Sequence, residues 1–115
     1  MVSFMAKCSL DLDRAFSALA DPTRREIVSR LCSGPKSVTE LAGPFDLALP
    51  SLLKHVHVLE RSGLVSSEKT GRVRTCRIEP DALHSAEAWI SEHIRQWEDR
   101  LDRMATHIEG LKRKD

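Results

Sequence analysis

The chain has no apolar run that approaches the roughly 18 residues a bilayer-spanning helix needs, and the apolar run in Met1–Cys8 is too short for a secretory signal. Its three cysteines, Cys8, Cys32 and Cys76, are odd in number and widely spaced. That excludes the paired framework of a small secreted domain and points to a reducing cytoplasm, with no membrane partner expected. No glycine-rich phosphate loop, HExxH, GxSxG or nucleophile–base constellation is present, so no enzyme is expected. A strong excess of one charge is missing too: the net charge is +1. The mean conceals an uneven distribution. Lys69, Arg72, Arg74 and Arg77 lie in one nine-residue window with no acid, and a phosphate backbone would feel that local charge rather than the average.

What is present is ordinary for a single globular domain: 115 residues, 41% hydrophobic and 30% charged. Residues 1–115 read as one domain, with a core over 9–78 and a long C-terminal helix over 79–113. Leu12, Ala15, Phe16 and Leu19 recur at i, i+3, i+4 and i+7 and predict an amphipathic first helix. Asp21-Pro22 restarts the chain as N-cap and first helical residue, Ile27, Val28 and Leu31 supply the inward stripe, and Ser33-Gly34-Pro35 stops it. Arg24 and Arg25 sit in the first turn, where a cation is electrostatically unfavourable, so they need outside partners: a carboxylate such as Glu26 or Asp21, or a DNA phosphate.

The most informative stretch is Ser37–Ile78. Ser37-Val38-Thr39-Glu40 is a capping box opening a short helix that ends at Gly43-Pro44. A second helix over Leu49–Ser62 ends with Gly63 in the left-handed C-terminal position. Val65–Thr70 and Val73–Ile78 read as strands turning at Gly71-Arg72. Leu49, Leu52, Val56 and Leu59 mark the buried side of the second helix; Pro50, Lys54, His57 and Arg61 point the opposite way, with Ser51, Leu53 and Val58 on the flanks. The expected fold is mainly α with a small β-hairpin, a winged helix-turn-helix that sets one helix in the DNA major groove. Basic residues on the hairpin could serve as edge protection; after a helix-turn-helix, a wing straddling the backbone is the better account.

From Asp81 to Leu111 the chain reads as one long helix, with room for one break. Ile94, Leu101 and Ile108 repeat every seven residues, and Leu83, Ile90, Trp97, Met104 and Leu111 form a second series offset by three. Such a seam predicts a helix–helix interface and hence a homodimer, with a helix folded back on its own domain as the alternative.

Three segments, Ala18-Leu19-Ala20-Asp21-Pro22-Thr23-Arg24-Arg25, Ser37-Val38-Thr39-Glu40-Leu41-Ala42 and Lys54–Val65, resemble the ArsR/SmtB family of bacterial transcriptional repressors, and the resemblance covers about residues 10–105. It implies a dimer formed by the first and last helices, with Leu12, Phe16, Leu83, Ile90, Ile94, Trp97, Leu101, Met104 and Ile108 at the interface. It further implies a repressor on an imperfect palindrome in double-stranded DNA, autoregulation included. Carried over by position, Leu49, Pro50, Ser51, Leu53, Lys54 and His55 face DNA, and Ser37, Thr39, His57, Lys69, Arg72 and Arg74 complete the expected surface. His55 falls beside Leu59 on the helical wheel, so packing or a phosphate contact competes with base reading. Ala48 stands where the family usually has a Ser or Thr cap, leaving a backbone N–H to find another partner. Leu53 replaces a common serine and could touch only a thymine methyl, which makes Lys54 the best guanine reader and Ser51 a weaker one.

The family's thiolate-rich segment is absent, since Glu40-Leu41 is followed by Ala42-Gly43-Pro44-Phe45-Asp46. Of its last-helix zinc ligands His93 alone matches clearly, with Ala82 and Gln96 at ligand positions; Asp81, His84 and His93 do not share one helical face. No metal or other cofactor is expected, and no inducer site is legible. Cys8, Cys32 and Cys76 in some combination, with Cys76 set between Arg74 and Arg77, raise a metal- or thiol-responsive repressor (zinc, As(III) or redox) as an alternative, weighed against buried structural cysteines. The remaining alternative is a winged-helix interaction module without DNA binding.

Overall fold

A computed structural model describes the backbone of residues 2–113 and the side chains of residues 11–113. The order is α1 (Val2–Leu19), α2 (Pro22–Leu31), β1 (Lys36–Ser37), α3 (Val38–Ala42), α4 (Leu49–Arg61), β2 (Val65–Thr70), β3 (Val73–Ile78) and α5 (Pro80–Arg113). The helices start and stop for reasons written in the chain. Asp21 caps α2 by accepting the Arg24 backbone N–H at 3.0 Å, with Pro22 following. Ser37 and Glu40 close a reciprocal capping box on α3, each accepting the other's backbone N–H at 3.1 Å. α4 ends in a Schellman motif: Gly63, at φ +79°, donates to the Glu60 carbonyl and Leu64 to that of Leu59, both at 3.1 Å.

The sheet has three antiparallel strands in the order β1-β3-β2 rather than the expected two. β1 pairs Lys36 with Cys76 and Ser37 with Thr75. Two residues carry no periodicity, so nothing in the pattern announces this strand. The β2–β3 turn falls as expected at Gly71-Arg72, with Thr70 opposite Val73. Gly71 has φ +63° and Arg72 is not positive, the sign pattern of a type II′ hairpin turn.

One apolar core joins α2, α3, α4 and the sheet. Ile27, Leu41, Leu52, Leu59, Leu64 and Cys76 are fully buried, with Val56 nearly so. α4 turns Leu52, Val56 and Leu59 into it. Leu49, expected on that buried side, is instead 46% exposed. It is the first residue of α4, one turn before the row that meets the core, and no element covers it there.

α5 is unbroken for 34 residues, about 51 Å at 1.5 Å per residue. Among the described residues its start alone packs at home: Ala86 is buried, Ala82 and Leu83 lie against the core, and Trp89 meets Phe16 of α1 edge-to-face at 5.8 Å. Leu83 and Phe16, expected between subunits, therefore have partners within their own chain. Beyond Ser91 every described residue of α5 is exposed, so the fold-back alternative applies to its first turns alone.

Leu59→Ala should lower stability by about 2–5 kcal/mol through lost burial and a residual cavity. Leu53→Ala, on the exposed side of the same helix, should change it by no more than about 0.5 kcal/mol. Urea denaturation followed by circular dichroism tests both, and equal losses would overturn the assigned rotation of α4.

Candidate nucleic-acid interface

The arginines of α2 are spoken for, and not by the expected carboxylates or phosphate. Arg24 donates from Nε to the Ala18 carbonyl at 2.7 Å and from a terminal nitrogen to that of Ser17 at 3.2 Å; Arg25 donates to Leu19 at 2.9 Å. These are carbonyls of the last turn of α1, which lack helical donors and carry the negative end of the helix dipole. Arg30 does the same for α3, reaching the Leu41 carbonyl at 2.8 Å and that of Glu40 at 3.3 Å. No charge pattern in the sequence marks these partners, because a backbone carbonyl carries no residue identity.

So held, α4 presents Leu49, Pro50, Ser51, Leu53, Lys54 and His57 on its exposed side. Ala48 gives no side-chain cap; its carbonyl accepts the Ser51 and Leu52 N–H groups at 3.0 and 3.1 Å. Pro50 has no N–H to place. Leu49 is then the first-turn residue whose N–H finds no partner among the described residues. His55 departs from the expected DNA-facing set. It is half-buried, with Nδ1 3.9 Å from Asp21 Oδ2, and so faces the N-cap of α2. Ser37 is engaged in its capping box, while Thr39 is exposed beside it.

The basic window divides in two. Ser67 of β2 donates to Glu60 of α4 at 2.5 Å, and Arg74 of β3 donates to the Ser67 hydroxyl at 3.1 Å while lying 3.9 Å from Glu60. This three-residue link fastens the wing to the end of α4. Arg77 pairs with Glu68 at 3.2 Å across the hairpin. Lys69 and Arg72 have no hydrogen-bonded or ionic side-chain partner among the described residues, and they border a cleft of about 550 Å³ between α3, α4 and the wing.

Cys76 is fully buried beneath that link. Burial pushes its thiol pKa up, Glu60 adds to the rise and Arg74 opposes it, so its surroundings disfavour a reactive thiolate despite the arginines beside it in sequence. Cys32 is exposed and Cys8 lies outside the described side chains. His93 stacks on Trp89 at 4.0 Å, and its Nδ1 is 2.8 Å from the Trp89 carbonyl. Among the described residues no three His, Cys, Asp or Glu side chains gather as metal ligands.

A capped helix pair, an exposed second helix and a basic hairpin fastened beside it define a winged helix-turn-helix. The helix-turn-helix domain family matches residues 19–68. The HTH-type transcriptional regulator Rv2034 of Mycobacterium tuberculosis is 42% identical over 71 residues, 62% of this chain and 66% of that protein, just under two thirds of its length. The transcriptional repressor SdpR of Bacillus subtilis is 24% identical over 90 residues, 78% of this chain and 100% of that one. The crystal structure of an ArsR family transcriptional regulator, RHA00566, aligns with a TM-score of 0.75 and 52% identity, covering 78% of this chain and 93% of that chain. A solution structure of the homodimeric winged helix-turn-helix DNA-binding domain of Mb0332 from Mycobacterium bovis aligns at 0.65 with 25% identity, covering 80% and 89%. The chain belongs to the ArsR family and is a DNA-binding transcriptional regulator.

Two carboxyls that seat the reading helix give the fold an acid limit. Asp21 is held below its ordinary 3.8, chiefly by the Arg24 backbone N–H, and Glu40 below 4.5, chiefly by that of Ser37. Because the folded values are depressed, their contribution is present above the unfolded values and is lost as pH falls through the folded ones. Asp21→Asn and Glu40→Gln should each flatten the fall of melting temperature below about pH 4.5, since both replacements keep hydrogen-bonding capacity without titrating. An unchanged acid limb in both variants would contradict this assignment.

Proposed function

We propose that the chain acts in the cytoplasm as a homodimer that sets the N-terminal half of α4 in the major groove of an imperfect-palindromic operator and represses transcription there, its own promoter included. The observation that carries this is the sorting of charge around α4. The arginines of α2 are consumed by helix ends, whereas Lys54, Lys69 and Arg72 remain exposed without ionic partners among the described residues, on and beside one accessible helix face. Lys54 is the candidate guanine reader, Ser51 a candidate base or phosphate contact, and Lys69 and Arg72 the wing's phosphate contacts. Repression is supported by the kinship to a named repressor. Dimerisation is supported by the apolar stripe Ile90, Ile94, Trp97, Leu101, Met104, Ile108 and Leu111, each 43–59% exposed, and by a homodimeric structural neighbour. In such a dimer two recognition helices would lie about one DNA turn apart, roughly 34–36 Å.

Fluorescence anisotropy on the chain's own promoter and on selected palindromes tests the reading. Lys54→Ala should lose about 1–3 kcal/mol on cognate DNA and much less on random DNA. Arg72→Ala should weaken all sequences alike and reduce the salt slope by about one. Absence of binding at low salt would favour the protein-interaction module instead.

Sedimentation provides the second test. The wild type should run as a dimer at micromolar concentration, and Leu101→Glu should shift it to monomer with loss of operator affinity, because a carboxylate in the seam would be buried without a partner. A monomeric wild type would overturn the dimer.

A further inference from the structure

Twelve large hydrophobic side chains are exposed among the described residues, and eight of them belong to α5. The other four are Leu49, Leu53, Val58 and Val73, of which three, Leu49, Leu53 and Val73, line the cleft between α4 and the wing. Leu49 is 46% exposed, Leu53 40% and Val73 52%. Lys69 and Arg72 line the same cleft. Three exposed apolar side chains bordered by cations suit a partner that carries apolar groups and anions side by side, rather than a wholly apolar or a wholly acidic one.

We propose that this cleft reads thymine: Leu49 and Leu53 receive the C5-methyl groups of two thymines in the major groove, Val73 excludes water from the wing side, and Lys69 and Arg72 hold the adjoining phosphates. This rests on the DNA-reading function proposed above and names the bases it selects. An isobutyl group set over guanine O6/N7, adenine N6/N7 or cytosine N4 strips water from a polar edge and returns no hydrogen bond. Thymine presents a methyl in the major groove and gains by the contact. Leu49 and Leu53 are one turn apart on one face, about 6 Å along the axis. With the helix following the groove, that is close to two base-pair steps of about 3.4 Å. Each half-site therefore carries two thymines, on either strand, about two steps apart.

Duplexes selected from a random pool by the intact protein supply the probe, and each thymine is replaced in turn by deoxyuridine, which removes the methyl and keeps the base-pairing edge. Anisotropy titration should show two positions per half-site where the replacement weakens binding about three- to fourfold, the factor implied by one buried methyl-sized group. Leu53→Ala should abolish the penalty at one position and Leu49→Ala at the other, with the salt slope retained because no cation is removed. Both side chains are exposed, so both variants should melt like the wild type. Full affinity for every uridine-substituted duplex, or an undiminished penalty in both variants, would overturn thymine reading while leaving DNA binding intact. Failure of the wild type to select any duplex at low salt would instead overturn the DNA-reading function, and thymine reading with it.

Discussion

The burial of Leu52, Val56 and Leu59 against Ile27, Leu41 and Leu64 is the constraint from which the rest of the molecule follows. Residues on an α-helix advance about 100° each, so a row spaced four and three fixes the helix's rotation about its axis. Burying one such leucine is worth about 1.5–3 kcal/mol, and turning α4 by one residue would exchange these side chains for Leu53, His57 and Glu60 in one direction or Ser51, His55 and Val58 in the other, most of them polar. The outward direction of Leu49, Leu53 and Lys54 is thus a consequence of core packing. Chemistry on the exposed side can change without altering how that side is aimed.

Polar groups then fix the position of α4 rather than its rotation. Three arginines of one short helix donate to the carbonyl ends of two others, which places positive charge where helix dipoles favour it and satisfies carbonyls that would otherwise depend on water. His55 faces Asp21 where α4 meets α2, and Glu60, Ser67 and Arg74 join α4 to the wing. Arg24, Arg25, Arg30, Arg74 and Arg77 are internal fasteners held by carbonyls, a hydroxyl or nearby acids, while Lys54, Lys69 and Arg72 beside them have no such partner among the described residues. Formal charge is therefore a poor guide to this surface, and an inventory of which cations are engaged is a better one.

Much of this was legible in the sequence because it is locally encoded. The capping box at Ser37 and Glu40, the Asp21-Pro22 start, Gly63 after α4 and Gly71 in the hairpin each act within a few residues, and each stands where expected. Contacts made across the chain were not legible. Arg24 and Arg25 seek carbonyls six or seven residues back, which no charge pattern marks, because a carbonyl has no residue identity. β1 exists because β3 has a free edge beside Ser37, not because Lys36 and Ser37 favour a strand. Arg74 looked available because its partner Glu60 lies fourteen positions away on another element. Leu49 satisfied the helical spacing of a core residue, yet the core ends one turn short of it.

The same distinction applies within α5, where periodicity and packing part company. Its apolar spacing runs with little change from Leu83 to Leu111, but among the described residues the covered part is its beginning, through Ala86 and the contact of Trp89 with Phe16. Trp89 belongs to neither heptad series, yet it packs on Phe16 and so helps brace α5 against α1. The brace matters mechanically: it lies where the helix leaves the body, so it sets the direction of the exposed stripe relative to α4. In the proposed dimer the distance between two recognition helices is governed by that direction over about 33 Å of helix from Ile90 to Leu111, and a small change in angle at Trp89 becomes a large displacement at the far end. In that proposed dimer, operator spacing would depend on the edge-to-face contact of Trp89 with Phe16 as well as on the helix that meets the bases.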